Sequence, residues 1–273
     1  MDRKVVRRLA AVMVVSGVLT AGAATVWWDP TPSYRAVAAE GAALTDAEQL
    51  EALAQQRIFF GHRSVGRNIL DGLDRVYAAH EVDPPPVIEI APGESPQLPP
   101  DGLLVHALIG ENRHPVGKLE NFDATLRAGL GEQVDVAALK FCYVDIRWDS
   151  DVEALFARYQ ETLSRLQSDY PDVRFVHLTV PLTTGPYGIR DHLKVLAGRD
   201  DNSTRERYNE LMRQAYGHGE LFDLATSEAT GPDGVLRARE LFSGYSSDGG
   251  HLNTVGSERL AAELVGHLTD STP

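Results

Sequence analysis

From residue 57 onward, short apolar runs alternate with segments whose apolar residues recur at helical spacing, and few folds accommodate that alternation. Residues 57–60, 87–90, 103–109, 136–142, 173–180 and 221–224 read as strands. Between and after them, Val65, Ile69, Leu73 and Val76 mark one helix, and residues 116–130, 152–166, 203–216 and 255–268 mark others. Capping-box patterns at Thr45/Glu48 and Ser203/Glu206 set two helix starts. A parallel neighbour needs a crossover, and helices supply it, so the expected fold is a three-layer α/β/α sandwich with a mainly parallel sheet. Residues 91–102 hold too many breakers for regular structure, and residues 181–203 form a second long loop, containing Tyr187 and His192. In such sheets ligands collect at the carboxyl ends of the strands, where Ser64, Gly110, residues 142–145 and residue 181 onward emerge.

The 273 residues suit one sizeable domain with its own core. A net charge of −13, with no basic run beyond the first eight residues, excludes a nucleic-acid partner. The only cysteine, Cys142, cannot close an intramolecular disulfide, and no Cys/His cluster points to zinc. Arg3, Lys4, Arg7 and Arg8 precede an uncharged stretch at 9–28, which includes the small-x-small sequence Ala21-Gly22-Ala23 and ends on Trp27 and Trp28. Residues 1–28 therefore read as a cleaved signal peptide or as a membrane anchor, and both readings place the rest of the chain outside the cytoplasm. Residues 29–43 read as a flexible linker, and 44–273 as the folded domain.

A serine hydroxyl becomes a strong nucleophile only when a histidine takes its proton and a carboxylate orients that histidine. Ser64 stands between the first strand and a helix, where the helix N-terminus favours a developing oxyanion. A plain N-cap is the other reading of such a serine. Asp248 and His251 lie three apart across two glycines, just before the last helix, close enough to project into one site; a surface turn is the alternative.

The run DGGHLNTVGSERLAAEL resembles the DxxH block of the SGNH (GDSL-type) hydrolase superfamily, and IFFGHRSVG resembles its first block, with His62-Arg63 departing from the usual spelling before Ser64. The resemblance implies a flavodoxin-like sandwich, a catalytic triad of Ser64, Asp248 and His251, no cofactor and no metal. It also implies an oxyanion-hole glycine after a strand, the position of Gly110. The third block reads GxND in the family; here Cys142-Tyr143-Val144-Asp145 stands there, and Val144 offers no donor. Either the site works with fewer donors or Asn112 takes the role. His62 and Asp145 are further candidates for the pocket lining, or they serve only to satisfy buried groups, and Arg147 is a candidate contact for an anionic substrate. The function implied is an exported esterase acting on acyl esters or acylated glycans. An acyltransferase acting on a polysaccharide, or an inactive binding protein, is the alternative. The α/β-hydrolase order also runs serine, acid, histidine, but its GxSxG elbow follows a middle strand.

Overall fold

The computed structural model describes residues 44–186, 188–237 and 239–270. Residues 1–43, on which the export and linker expectations fall, lie outside these, as does Tyr187. Among the described residues no helix is long and apolar enough to cross a membrane. The chain divides into a large unit, 34–184 with 201–273, and a second unit that includes 185–200.

The large unit holds a six-stranded sheet in which every pairing is parallel. Its strands are β1 (Arg57–His62), β2 (Val87–Ile90), β3 (Leu103–Leu108), β4 (Val136–Leu139), β5 (Arg174–Leu178) and β6 (Leu221–Phe222), in the spatial order β2-β3-β1-β4-β5-β6. Strand alternation sends one set of side chains to each face. Phe59, Val105, Ala137, Leu139 and Phe175 pack with α3 (Pro115–Thr125), α4 (Val152–Asp169) and α6 (Asp201–Ala215). Ile58, Phe60, Leu104, Val136, Ala138 and Val176 pack with α1 (Ala47–Ala54), α2 (Val65–Ala79), α7 (Leu224–Ala229) and α8 (Thr254–Asp270). Helices therefore cover both faces, which is the expected sandwich. Each large aliphatic or aromatic side chain buried there contributes about 1.5–3 kcal/mol, and the two clusters are the main source of stability.

Several boundaries differ from the sequence reading, each for an identifiable reason. The first capping box is Asp46 with Gln49, one residue after the expected pair, because the Asp46 carboxylate accepts the Gln49 N–H. Ser203 lies inside α6, which begins two residues earlier, where Trp148 N–H donates to Asp201 and Thr183 N–H to Asn202. Strand β4 stops at Leu139, and the Cys142 N–H beyond it goes to the Asp145 carboxylate; β5 stops at Leu178, and the Val180 N–H goes to Asn209. Helix α3 ends at Thr125 and passes into a π-turn at Leu126–Leu130, where Gly129 adopts φ 114°.

The smaller unit's described residues include a helix, α5 (Gly188–Leu196), within what the sequence suggested was a loop. Ile189, Leu193 and Leu196 recur at i, i+4 and i+7, and His192 Nδ1 pairs with the Gly188 carbonyl.

Candidate active site

The strand order reverses around β1, so the loops after β1, β3 and β4 emerge side by side at the carboxyl ends of the strands. Ser64 joins β1 to α2 at φ 54°, ψ −110°, in the left-handed region that non-glycine residues avoid. Holding a serine there costs about 1–3 kcal/mol, which the packing of β1 and α2 must offset. The turn is so sharp that a Cβ on Gly66 would stand 2.5 Å from the His62 Cβ, so only glycine fits two residues after the serine. The Ser64 side chain makes no capping hydrogen bond. The plain N-cap reading therefore does not describe it. A strand-turn-helix elbow with its serine at positive φ lifts the hydroxyl away from the helix it precedes.

On the other side, the loop before α8 is built around Asp248. Its Oδ1 accepts the N–H groups of Gly250 (2.9 Å) and His251 (2.7 Å), and its Oδ2 meets His251 Nδ1 at 2.6 Å. Burial alone would raise the carboxyl, but the His251 and Gly250 N–H groups and the His251 ring hold it down at about 2. An ionised carboxylate can only accept, so Nδ1 carries a proton, and in the neutral imidazole Nε2 is the nitrogen that holds the lone pair. Ser246 Oγ braces the loop by donating to the His251 carbonyl at 2.6 Å, and Leu252 N–H donates to Asn68 Oδ1 at 3.3 Å. Asn68 lies one turn beyond Ser64 on α2, so the histidine loop is fastened to the helix that Ser64 opens.

Tyr143, in the turn after β4, stands edge-on to the His251 ring with centroids 5.7 Å apart. A Cβ on Gly250 would meet its hydroxyl at 2.8 Å, which leaves the second glycine of the loop no alternative. Burial and the Asp248 charge push the Tyr143 phenol up, so it stays neutral. The backbone carbonyl of Tyr143 is held by buried Arg205, whose Nε donates to it at 2.7 Å. Cys142 Sγ donates to the Arg63 carbonyl at 3.5 Å, bringing the β4 loop against the serine turn. Arg63 in turn donates to the carbonyls of Ile109 and Leu108, drawing in the β3 loop.

The remaining sequence candidates fall in different places. Gly110 has φ 51°, and its N–H is committed to Asn121 Oδ1 at 2.8 Å, so in this structure it shapes the turn and its donor is engaged. His62 is fully buried, stacked on Phe60 and bonded through Nε2 to His106 Nδ1 at 3.3 Å; burial and the charge of Lys140 lower it to about 2. Asp145 is also buried and receives Lys118 Nζ (2.6 Å), Cys142 N–H (2.6 Å) and Arg113 N–H (2.8 Å). Neither His62 nor Asp145 presents a surface to a substrate; both play the alternative role, that of satisfying buried groups. Asn112 is exposed in the loop after β3, and Arg147 is exposed in the loop after β4. The sequence reading missed Asn68, Lys118 and Arg205, whose partners are remote along the chain; a lysine at an apolar helix position was the one available signal for Lys118.

No family model and no curated protein matches the chain. Among solved structures it is similar to a lipase/acylhydrolase from Enterococcus faecalis, at 16% identity and a TM-score of 0.45 over 79% of this chain and 96% of that one. It is also similar to the periplasmic domain of a lipopolysaccharide acetyltransferase from Salmonella ser. Paratyphi A, at 14% identity and a TM-score of 0.42 over 76% and 81%. A peptidoglycan O-acetylesterase is similar at 12% identity and a TM-score of 0.41, over 63% of this chain and 48% of that one.

Proposed function

We propose that the chain is an exported SGNH-type serine esterase that cleaves acyl esters, O-acetyl groups on glycans included, with Ser64 as nucleophile and Asp248–His251 as its base pair. The observation that carries this reading is Ser64 itself. It is a non-glycine residue held at φ 54° whose hydroxyl caps nothing, on the helix to which the Asp248–His251 loop is fastened.

The reaction follows from the groups present. His251 Nε2 takes the Ser64 proton as Oγ attacks the acyl carbonyl, and Asp248 steadies the imidazolium through Nδ1. The oxyanion forms over the N-terminus of α2, with the Asn112 carboxamide as side-chain donor. The imidazolium then protonates the departing alkoxide, leaving an acyl-serine. Water, activated by the same histidine, releases the acid and restores the serine; a glycan hydroxyl taking the place of water would give transfer instead.

Ser64→Ala should abolish labelling by a fluorophosphonate probe and lower p-nitrophenyl acetate turnover by several orders of magnitude. His251→Ala should match it, and the double variant should be scarcely worse than either single one. Labelling that persists in Ser64→Ala would remove Ser64 from the mechanism. With acetylated glycan as donor, release of free acetate identifies hydrolysis, and acetate appearing on a second glycan identifies transfer.

A further inference from the structure

The β3 loop is fixed from below by groups that the reaction does not use. Residues 110–113 begin and end on left-handed backbone, Gly110 at φ 51° and Arg113 at φ 71°. Their N–H groups are each taken by a side chain, Gly110 by Asn121 at 2.8 Å and Arg113 by Asp145 at 2.8 Å. Between them, Asn112 Oδ1 accepts a hydrogen bond from Lys118 Nζ at 3.2 Å. Lys118 has no exposed side-chain surface, and neither has Asp145, its partner at 2.6 Å. A buried, paired lysine inside the first turns of α3 is costly unless it has work to do.

The chemistry of the contact settles which way the carboxamide faces. An ammonium group has three donors and no acceptor, so the Asn112 atom beside it must be the carbonyl oxygen. The amide NH2, with both its donors, is thereby on the side of the carboxamide away from Lys118 and free of that contact, on a residue that is exposed. We infer that Lys118, held by Asp145, is a positioning residue that presents the Asn112 NH2 as the oxyanion donor missing at Val144. Asp145 links two loops in the same act, because it also receives the Cys142 N–H of the β4 loop at 2.6 Å. One buried ion pair thus sets the donor and joins its loop to the turn that packs on His251.

This inference rests on the esterase reading, and a kinetic cycle separates the two. With p-nitrophenyl acetate and the full-length protein, Asn112→Ala should lower kcat roughly a hundredfold, and Lys118→Met roughly tenfold or more, with KM little changed. In the Asn112→Ala background, Lys118→Met should cost nothing further, because the group it orients is gone. Equal losses in both backgrounds, or an unaffected Asn112→Ala, would overturn the inference while fluorophosphonate labelling of Ser64 leaves the triad standing. Where Lys118→Met leaves Asp145 too poorly paired to fold, Lys118→Met with Asp145→Asn removes both charges and serves the same cycle.

A second readout does not depend on turnover. In protein labelled with 15N-asparagine, the Asn112 side-chain NH2 should give two well-separated proton resonances, and these should collapse toward the free-amide positions in Lys118→Met. Resonances unmoved by the substitution would overturn the positioning role even if the protein proved inactive on every ester.

Discussion

At the scale of single residues, the chain carries local cost at several strained or buried positions. Ser64 and Arg113 both sit at positive φ without being glycine, and both border the loops that meet at the serine turn. Glu228 on α7 is another such residue. It is fully buried, with Oε1 accepting the Leu182 N–H and Oε2 without a hydrogen-bond partner among the described residues. Burial pushes its carboxyl up to about 8, against the pull of that N–H and of the Lys140 and Arg205 charges. Between the ordinary glutamate value near 4.5 and about 8, the unfolded chain ionises while the folded one keeps its proton, so stability must fall as pH rises across that window. Glu228→Gln should flatten this slope, so that the Tm difference between pH 5 and pH 8 narrows; an unchanged slope would show that Glu228 is ionised in the fold. Asp248 and His251 were legible because a carboxylate and an imidazole three residues apart, across glycines, form a local pattern. The roles of Glu228 and Lys118 were not, because their meaning lies in partners 46 and 27 residues away.

At the scale of elements, the sheet was legible because β-branched and aromatic runs alternate with helical periods, and that pattern survives without knowledge of contacts. What eluded the sequence was where each element stops. Side chains such as Asp145 and Asn209 end β4 and β5 by taking the next N–H groups, and no local signal announces them. Helix pairing shows the same dependence on distance. A Cβ on Gly72 of α2 would stand 2.1 Å from the Ser257 carbonyl of α8, so these two helices touch backbone to backbone. Gly72→Ala should therefore destabilise the protein by about 1–3 kcal/mol, although alanine is the better helix former. Gly117→Ala, in α3, has nothing within 4 Å of the new methyl and should be neutral or stabilising by up to about 1 kcal/mol. Urea midpoints of the two variants, read side by side, check the sign. Loss from both would mean that the α2–α8 approach is not what sets the Gly72 requirement.

At the scale of the molecule, the elements of the proposed site come from opposite ends of the folded domain. Ser64 follows β1, the paired Asp248 and His251 precede α8, and the Leu252 N–H to Asn68 Oδ1 hydrogen bond spans 184 positions. If the charged start and apolar stretch at 1–28 direct export, an alkaline phosphatase fused behind Pro273 should be active in whole cells, whereas a β-galactosidase in the same place should not. The reverse pattern would place the domain in the cytoplasm. The backbone contact between Gly72 and Ser257 adds a dimension of time. A ribosome completes Ser64 long before it reaches His251, and the export expected from residues 1–28 would release them in the same order. Through all of that interval, on the proposed mechanism, the serine would have no base beside it and would be as inert as any other. On the proposed mechanism, activity would require α8 to be packed on α2, so a chain stalled or clipped before residue 251 would be an inert fragment.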